Sequence, residues 1–129
     1  MSGRRVYALL LSSIAMFGCE GGVFVRGIVR DPAGLAVPRA RVEIRGPEIA
    51  RDQTPGPEGC FNVGGLAVPG RRDYDFTVSA PGYKSVAAKV RSLKDNILAV
   101  TLQPEGSAGE SDVKLLREDP CEAQKDAAQ

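Results

Sequence analysis

Histidine and tryptophan are both absent from this 129-residue chain. Without histidine, no site can use an imidazole as a general acid or base, as a member of a catalytic triad, or as a metal ligand. Nucleic acid is an equally poor match, because a formal net charge of +1 provides no attraction to phosphate. The composition therefore predicts a protein that is not an enzyme and that has no metal site, no cofactor and no nucleic-acid partner.

Aromatic residues are scarce as well, at 5% of the chain, whereas glycine and proline are frequent, with 15 and 9 residues. This mixture favours short strands joined by many turns over a bundle of helices. The length is enough for one domain and no more.

The first eighteen residues have the layout of a bacterial export signal. Arg4 and Arg5 precede an uncharged, mostly apolar run over 6–17, which is too short to span a bilayer permanently. Gly18 and Cys19 follow this run directly. A small residue immediately before cysteine at such a place resembles the lipobox of bacterial lipoproteins. The resemblance implies cleavage before Cys19 and attachment of acyl chains such as palmitate there. A simple secreted protein and a permanent N-terminal anchor are the alternatives.

The signal sets the expected location of the protein and divides the chain. We expect an exported protein, held on a bacterial membrane through lipid on Cys19 and facing the periplasm or the cell surface. The signal over 1–18 is followed by a lipidated tether over 19–22, a strand-rich domain over 23–104 and a polar tail over 105–129.

Alternation of apolar and polar residues within the domain indicates half-buried strands. Strands are predicted at 23–30, 39–46, 49–54, 60–63, 73–80, 83–90 and 96–103. Their number and spacing predict an all-β fold, a seven-stranded antiparallel Greek-key sandwich. In the tail, 112–118 is predicted to form at most one or two helical turns, which are too short to be stable alone.

The same alternation predicts which side chains face the core. The residues predicted to be buried are Val42, Ile44, Phe76, Val78 and Val100, and those predicted to be exposed are Arg41, Glu43 and Asp75. Outward charges are interpreted as solvated strand faces, rather than as a site for an acidic partner or for calcium. These outward charges are Arg39, Arg41 and Arg45 on one strand and Asp73 and Asp75 on another.

Four sequence blocks in this domain resemble the carboxypeptidase regulatory-like family, which is transthyretin-like in fold. They are VRGIVRD at 25–31, GLAVPRARV at 34–42, GCF at 59–61 and YDFTVSAPGY at 74–83. The glycines in these blocks are the kind that allow a close strand approach or a tight turn. The resemblance implies a sandwich fold and no activity, because domains of this family accompany enzymes, receptors and surface proteins as accessories.

Two cysteines remain once Cys19 is assigned to lipid. Cys60 and Cys121 would meet in a compartment that oxidises thiols, so we predict a disulfide between them. Two free thiols and intermolecular bonds remain open as alternatives.

Phe24 is the one aromatic side chain of the mature chain that we expect to be free of the core. It is therefore a weak candidate for ligand binding, since carbohydrate sites stack sugar rings on exposed aromatics. The leading hypothesis is a non-enzymatic, lipid-anchored envelope protein that acts as a structural or interaction module. Its partner would be an unknown envelope protein or polysaccharide. The alternative is a carbohydrate-binding module of similar sandwich fold.

The signal generates a first prediction. Substitution of Cys19→Ser should abolish lipid attachment and move the protein out of the membrane fraction, because the thiol is the group that is acylated. Intact-mass measurement of the mature wild-type protein tests the assignment of Cys19. A wild-type chain that is unprocessed, or one that is soluble and starts elsewhere, would contradict the prediction.

Overall fold

The computed structural model describes residues 22–46, 48–66 and 72–122, so the export signal and Cys19 lie outside the described residues. Eight strands follow one another along this part of the chain. They are β1 (Gly22–Arg30), β2 (Arg41–Gly46), β3 (Ile49–Gln53), β4 (Cys60–Leu66), β5 (Asp73–Ser79), β6 (Val86–Arg91), β7 (Asn96–Thr101) and β8 (Asp112–Leu115). In these ranges no helix has the length and the apolar character needed to cross a membrane.

The strands form two four-stranded sheets that pack as a sandwich. Sheet A has the order β4-β1-β7-β8, and sheet B has the order β3-β2-β5-β6. All neighbouring strands are antiparallel except β1 and β7, which run parallel. The predicted all-β sandwich is confirmed. It differs from the expected seven antiparallel strands in that parallel pair and in an eighth strand supplied by the tail.

Apolar side chains that alternate along the strands fill the space between the sheets. The residues predicted to be buried are all buried, namely Val42, Ile44, Phe76, Val78 and Val100. Phe61 of sheet A stacks on Phe76 of sheet B with 5.8 Å between ring centroids, which joins the two layers near the middle of the core. Arg41 and Asp75 are exposed as predicted, whereas Glu43 is only partly exposed. Arg41 and Arg45 cover Glu43 from both sides.

Gly27 allows a close approach of β1 and β7. It pairs with Leu98 across β1 and β7, and a Cβ atom at position 27 would lie 1.8 Å from the carbonyl oxygen of Leu98. The expected role of Gly27 in a close strand approach is therefore confirmed. Gly34 and Gly82 occupy turns with φ of 85° and 82°, a conformation that glycine adopts without steric cost.

Two predicted strands begin later than expected, and both differences come from turns. The strand predicted from 39 starts at Arg41, because Arg39 has φ of 55° in the turn after Pro38. The strand predicted from 83 starts at Val86. Tyr83 instead forms an isolated bridge with Pro104.

The helical turns predicted at 112–118 are wrong, because this segment pairs with a free sheet edge. Strand β8 lies antiparallel to β7 with Val113 opposite Val100. Hydrogen bonds along that edge satisfy backbone groups that one or two isolated helical turns would leave largely to water. The connection before β8 is also fixed, since Nζ of Lys84 donates to the carbonyl oxygens of Ser107 and Gly109 at 2.8 and 2.7 Å.

The packing of the core generates a second prediction. Phe76→Ala should lower the free energy of unfolding by about 3–5 kcal/mol, because it leaves a cavity where the two sheets meet. Phe24→Ala, the same change on an exposed ring, should cost much less. Urea unfolding followed by circular dichroism measures both. Equal costs, or a spectrum dominated by helix, would contradict the described sandwich.

Candidate functional site

The outer face of sheet B carries four cations and four anions that neutralise one another. Lys89 pairs with Asp75 on the neighbouring strand. The other pairs on this face are Arg41 with Asp52, Arg41 and Arg45 with Glu43, and Arg91 with Asp73. This cancellation leaves the face without a dominant charge and supports its interpretation as a solvated surface.

Two of these pairs shift the pKa values of Arg41, Asp52 and Lys89 in the direction that favours the charged form. A hydrogen bond and charge attraction from Arg41 lower the pKa of the Asp52 carboxyl, and Asp52 raises the pKa of Arg41 in return. Asp75 likewise raises the pKa of Lys89. Because the pKa of Asp52 falls on folding, its ion pair contributes to the stability of the fold at pH values above the usual pKa range of aspartate. This contribution is lost on acidification. These shifts follow from surface ion pairs, so they do not indicate a catalytic acid or base.

Asp31 acts within its own turn. Its Oδ1 accepts hydrogen bonds from the backbone N–H groups of Ala33 and Leu35, both at 2.9 Å. Within the residues that the structure describes, no group of three or more acidic or cysteine side chains converges in a way that could hold a metal ion.

The outer face of sheet A is crossed by the chain that follows β8. The N–H of Leu116 donates to the carbonyl oxygen of Ile97 on β7 at 2.7 Å. Further on, Nη1 of Arg26 on β1 lies 3.1 Å from Oε1 of Glu122 and 3.9 Å from Oδ2 of Asp119. The segment thus runs from the β8 edge over β7 to β1.

Cys121 carries this crossing segment to the opposite edge of sheet A. The structure joins it to Cys60 on β4 by a disulfide, with Cα atoms 6.0 Å apart. Its Sγ also lies 3.3 Å from the carbonyl oxygen of Gly27. Asp119 precedes Pro120 at the start of a helical turn and accepts a hydrogen bond from the N–H of Cys121 at 2.9 Å, as a helix N-cap does. The cap fixes the orientation in which the cysteine reaches β4.

The crossing segment explains two buried side chains outside the main core. Ile28 and Ile97 alternate with the inward residues of β1 and β7 and so lie on the outer face of sheet A. Even so, they are only 7% and 4% exposed. Both lie beneath the path from Leu116 to Cys121, so the tail gives sheet A a second, smaller apolar layer.

Phe24 lies on the same outer face, beyond the crossing segment, and is 57% exposed. Its ring occupies the space that side chains at positions 22 and 64 would need: Cβ atoms there would lie 2.4 and 2.8 Å from ring carbons. Among the described aromatic residues, it is the only one classed as exposed. A single ring fixed against glycine backbone offers a sugar one stacking surface and no second one.

A cleft of about 450 Å³ opens on one side of the sandwich, between the edges of β6 and β8. The floor of the cleft is apolar and comes from both sheets: Ala88, Val90, Leu98, Val113 and Leu115. Asp73, Lys89, Arg91 and Lys94 stand around it. Strands β6 and β8 are the last in their sheets, so each has an edge that no described strand occupies.

The opposite side of the sandwich is closed. There Oε1 of Gln53 on β3 accepts a hydrogen bond from the backbone N–H of Asn62 on β4 at 2.8 Å, which links the two sheet edges. At the open side, Asn96 has a structural role. Its Nδ2 donates to the carbonyl oxygens of Arg91 at 2.9 Å, Lys94 at 3.1 Å and Phe24 at 3.3 Å, so it anchors the turn that ends the cleft.

The side chains around the cleft suit binding better than catalysis. Its size lies in the range of protein ligand sites, which combine apolar side chains with a few polar groups, and both kinds line this cleft. Asp73, the one carboxylate of the lining, is ion-paired with Arg91. This cleft could not be predicted from the sequence, because strand patterns do not reveal which strands will lie at the sheet edges.

The fold and these surfaces define a β-sandwich domain of the binding or structural class. The carboxypeptidase regulatory-like domain family matches residues 25–105, and the chain belongs to that family. The matched range ends before β8, so the crossing segment and Cys121 lie beyond it. No curated protein and no solved structure matches the chain.

The disulfide generates a third prediction. Cys121→Ser should destabilise the protein by about 4 kcal/mol, because it opens a covalent loop whose ends are 61 residues apart. It should also expose Arg117 to trypsin, since the described contacts that remain beyond β8 are the Leu116–Ile97 hydrogen bond and the Arg26 ion pairs.

The double variant Cys60→Ser, Cys121→Ser is the matched control for this prediction. If the two sulfurs are bonded, the double variant should cost no more than either single one, because each already breaks the bond. Additive costs, or two free thiols in unreduced wild-type protein, would rule out the pairing.

Proposed function

We propose that this protein is a non-enzymatic, lipid-anchored module of a bacterial envelope. In this proposal the cleft between β6 and β8 holds an extended segment of another envelope protein. The observation that carries the proposal is the cleft itself, with an apolar floor drawn from two sheets and an open strand edge on each side.

The shape and chemistry of the cleft favour an extended polypeptide as the ligand. A strand added to the edge of β6 would bond to its backbone and direct alternate side chains inward. Those side chains would meet Val113 and Leu115, and Leu115 is 62% exposed without a partner. Lys89 and Arg91 on β6 are already ion-paired with carboxylates on the neighbouring strand β5. The bound polypeptide therefore need not neutralise their charge.

The export signal supports the location in this proposal. Gly22 begins β1, three residues after Cys19, so an acylated Cys19 would lie within about 10 Å of the sandwich. Such a short tether would keep the domain at the membrane surface and leave the cleft facing sideways. The pairing of Cys60 with Cys121 also fits an oxidising compartment outside the cytoplasm.

A carbohydrate-binding module is the weaker alternative. Phe24 is exposed, but it lies apart from the other described aromatic rings that could complete a stacking platform. A reproducible hit on a glycan array that is lost with Phe24→Ala would favour this alternative.

Site-specific photocrosslinking in the native envelope tests the proposed function, as our fourth prediction. A photoreactive residue in place of Leu115 should give a crosslinked protein of one defined mass. The same residue in place of Leu35, which is 65% exposed at a turn far from the cleft, is the control and should give none. Equal products from both positions, or none from Leu115, would contradict the proposal. A protease-resistant polysaccharide product would support the carbohydrate alternative.

A further inference from the structure

Large apolar side chains are exposed unevenly over this domain. Among the residues that the structure describes, five of them are exposed, and three of the five lie at the end of the sandwich where β1 begins: Phe24, Leu66 and Leu93. We call these three residues the end patch. Of the other two, Leu115 borders the cleft and Leu35 lies in the turn beyond the far end of β1.

The three side chains of the end patch surround Gly22. Leu66 is opposite Gly22 across β1 and β4, and Phe24 is opposite Gly64 two residues further on. The N–H of Leu93 donates to the carbonyl oxygen of Gly22 at 3.2 Å, so the turn between β6 and β7 adjoins the start of β1. Leu93 and Phe24 line one shallow depression beside Gly22. Three separate parts of the chain therefore bring apolar side chains to one place.

Leu93 has a backbone conformation that leucine rarely adopts. Its φ is 60°, in the left-handed region, where glycine or asparagine is favoured over a residue such as leucine. Its side chain is nevertheless 55% exposed and so gains little from the core. An exposed leucine at a strained position contributes little to folding, which points to a contact outside the domain.

Cations accompany the apolar side chains. Arg72 and Ser92 hold the start of β5 against the turn, with the N–H of Arg72 donating to Oγ of Ser92 at 2.9 Å. The N–H of Ser92 donates to the carbonyl oxygen of Arg72 at 3.0 Å. Lys94 follows Leu93 in the chain and lines the same depression together with Asp95, and the main chain of Arg72 is bonded to Ser92, the residue before Leu93. Apolar side chains with Lys94 and Arg72 nearby suit a surface with anionic headgroups.

We propose that the end patch rests at the boundary between the headgroups and the acyl chains of the phospholipid bilayer, so that β1 runs away from the membrane. The inference depends on the lipid anchor of the proposed function. Gly22 lies within about 10 Å of an acylated Cys19, because three residues of chain extend no further. The bilayer would therefore be the surface nearest to the end patch. Phe24, Leu66 and Leu93 would gain apolar burial there that a solvated monomer lacks.

The absence of tryptophan makes the orientation directly measurable. We would place single tryptophans in the full-length protein by Leu66→Trp and Leu35→Trp. Each protein would be reconstituted in vesicles of phosphatidylethanolamine and phosphatidylglycerol with brominated acyl chains, which quench tryptophan by close contact. We expect strong quenching and a blue-shifted emission for Leu66→Trp and no change for Leu35→Trp. Nine residues of β1 separate the two ends by roughly 30 Å.

A second substitution separates the membrane contact from folding. Leu93→Asn in the Leu66→Trp protein should leave the thermal midpoint equal or higher, because asparagine tolerates positive φ. It should also reduce the quenching, because it removes an apolar contact.

Intact mass determines which part of the account fails if the expected pattern is not seen. An acylated protein with neither tryptophan quenched, or with both quenched equally, would overturn the orientation and leave the anchor intact. A protein without acyl chains would overturn the anchor and the orientation together. A concentration-dependent blue shift of Leu66→Trp without lipid would assign the end patch to a second copy of the chain and overturn the bilayer as its occupant.

Discussion

Strand β1 passes so close to β7 at Gly27 that no side chain fits between them, and most of sheet A depends on this contact. The two strands form the middle of the sheet, with β4 outside one and β8 outside the other. On the outer face, the carbonyl oxygen of Gly27 lies against Sγ of Cys121. The glycine thus permits the close parallel pairing of β1 with β7, and its carbonyl oxygen contacts the tail that covers the sheet. A larger residue would force β1 and β7 apart at this point.

The surfaces with candidate functions follow from this arrangement. The crossing segment covers the middle of sheet A, and ion pairs neutralise the outer face of sheet B. The open side between β6 and β8 and the end patch then remain as apolar surfaces without a partner among the described residues. Lys94 borders both of them. Under the proposed orientation, a partner held in the cleft would be bound close to the membrane.

Local patterns in the sequence predicted much of the fold. Alternation around Val42 and Phe76 identified inward faces correctly, because one buried face and one solvated face impose a period of two. The eighth strand could not be predicted in this way. Val113 and Leu116 suit one face of a helical turn, and Val113 and Leu115 suit a strand equally well. Only the free edge of β7 decides between them.

The candidate sites were harder to predict, because they combine residues that are distant in the chain. The end patch joins β1, β4 and the turn before β7, and no sequence pattern relates Leu66 to Leu93. Cys60 and Cys121 could be paired by counting once Cys19 was set aside. The path of the tail over Ile28 and Ile97 could not, because it depends on the Asp119 cap and on Arg26. Phe24 was correctly expected to be exposed, but its packing on glycine was not foreseen.

The central claim is that this domain is a binding module held upright on a membrane. The most direct test of this claim is hydrogen–deuterium exchange. It would be measured for the acylated protein on vesicles and for the Cys19→Ser protein in solution. The account predicts slower exchange on vesicles at 22–25 and 91–95, around the end patch, and equal exchange at 31–40, at the far end. Equal exchange at both ends, or slowing confined to 31–40, would contradict it.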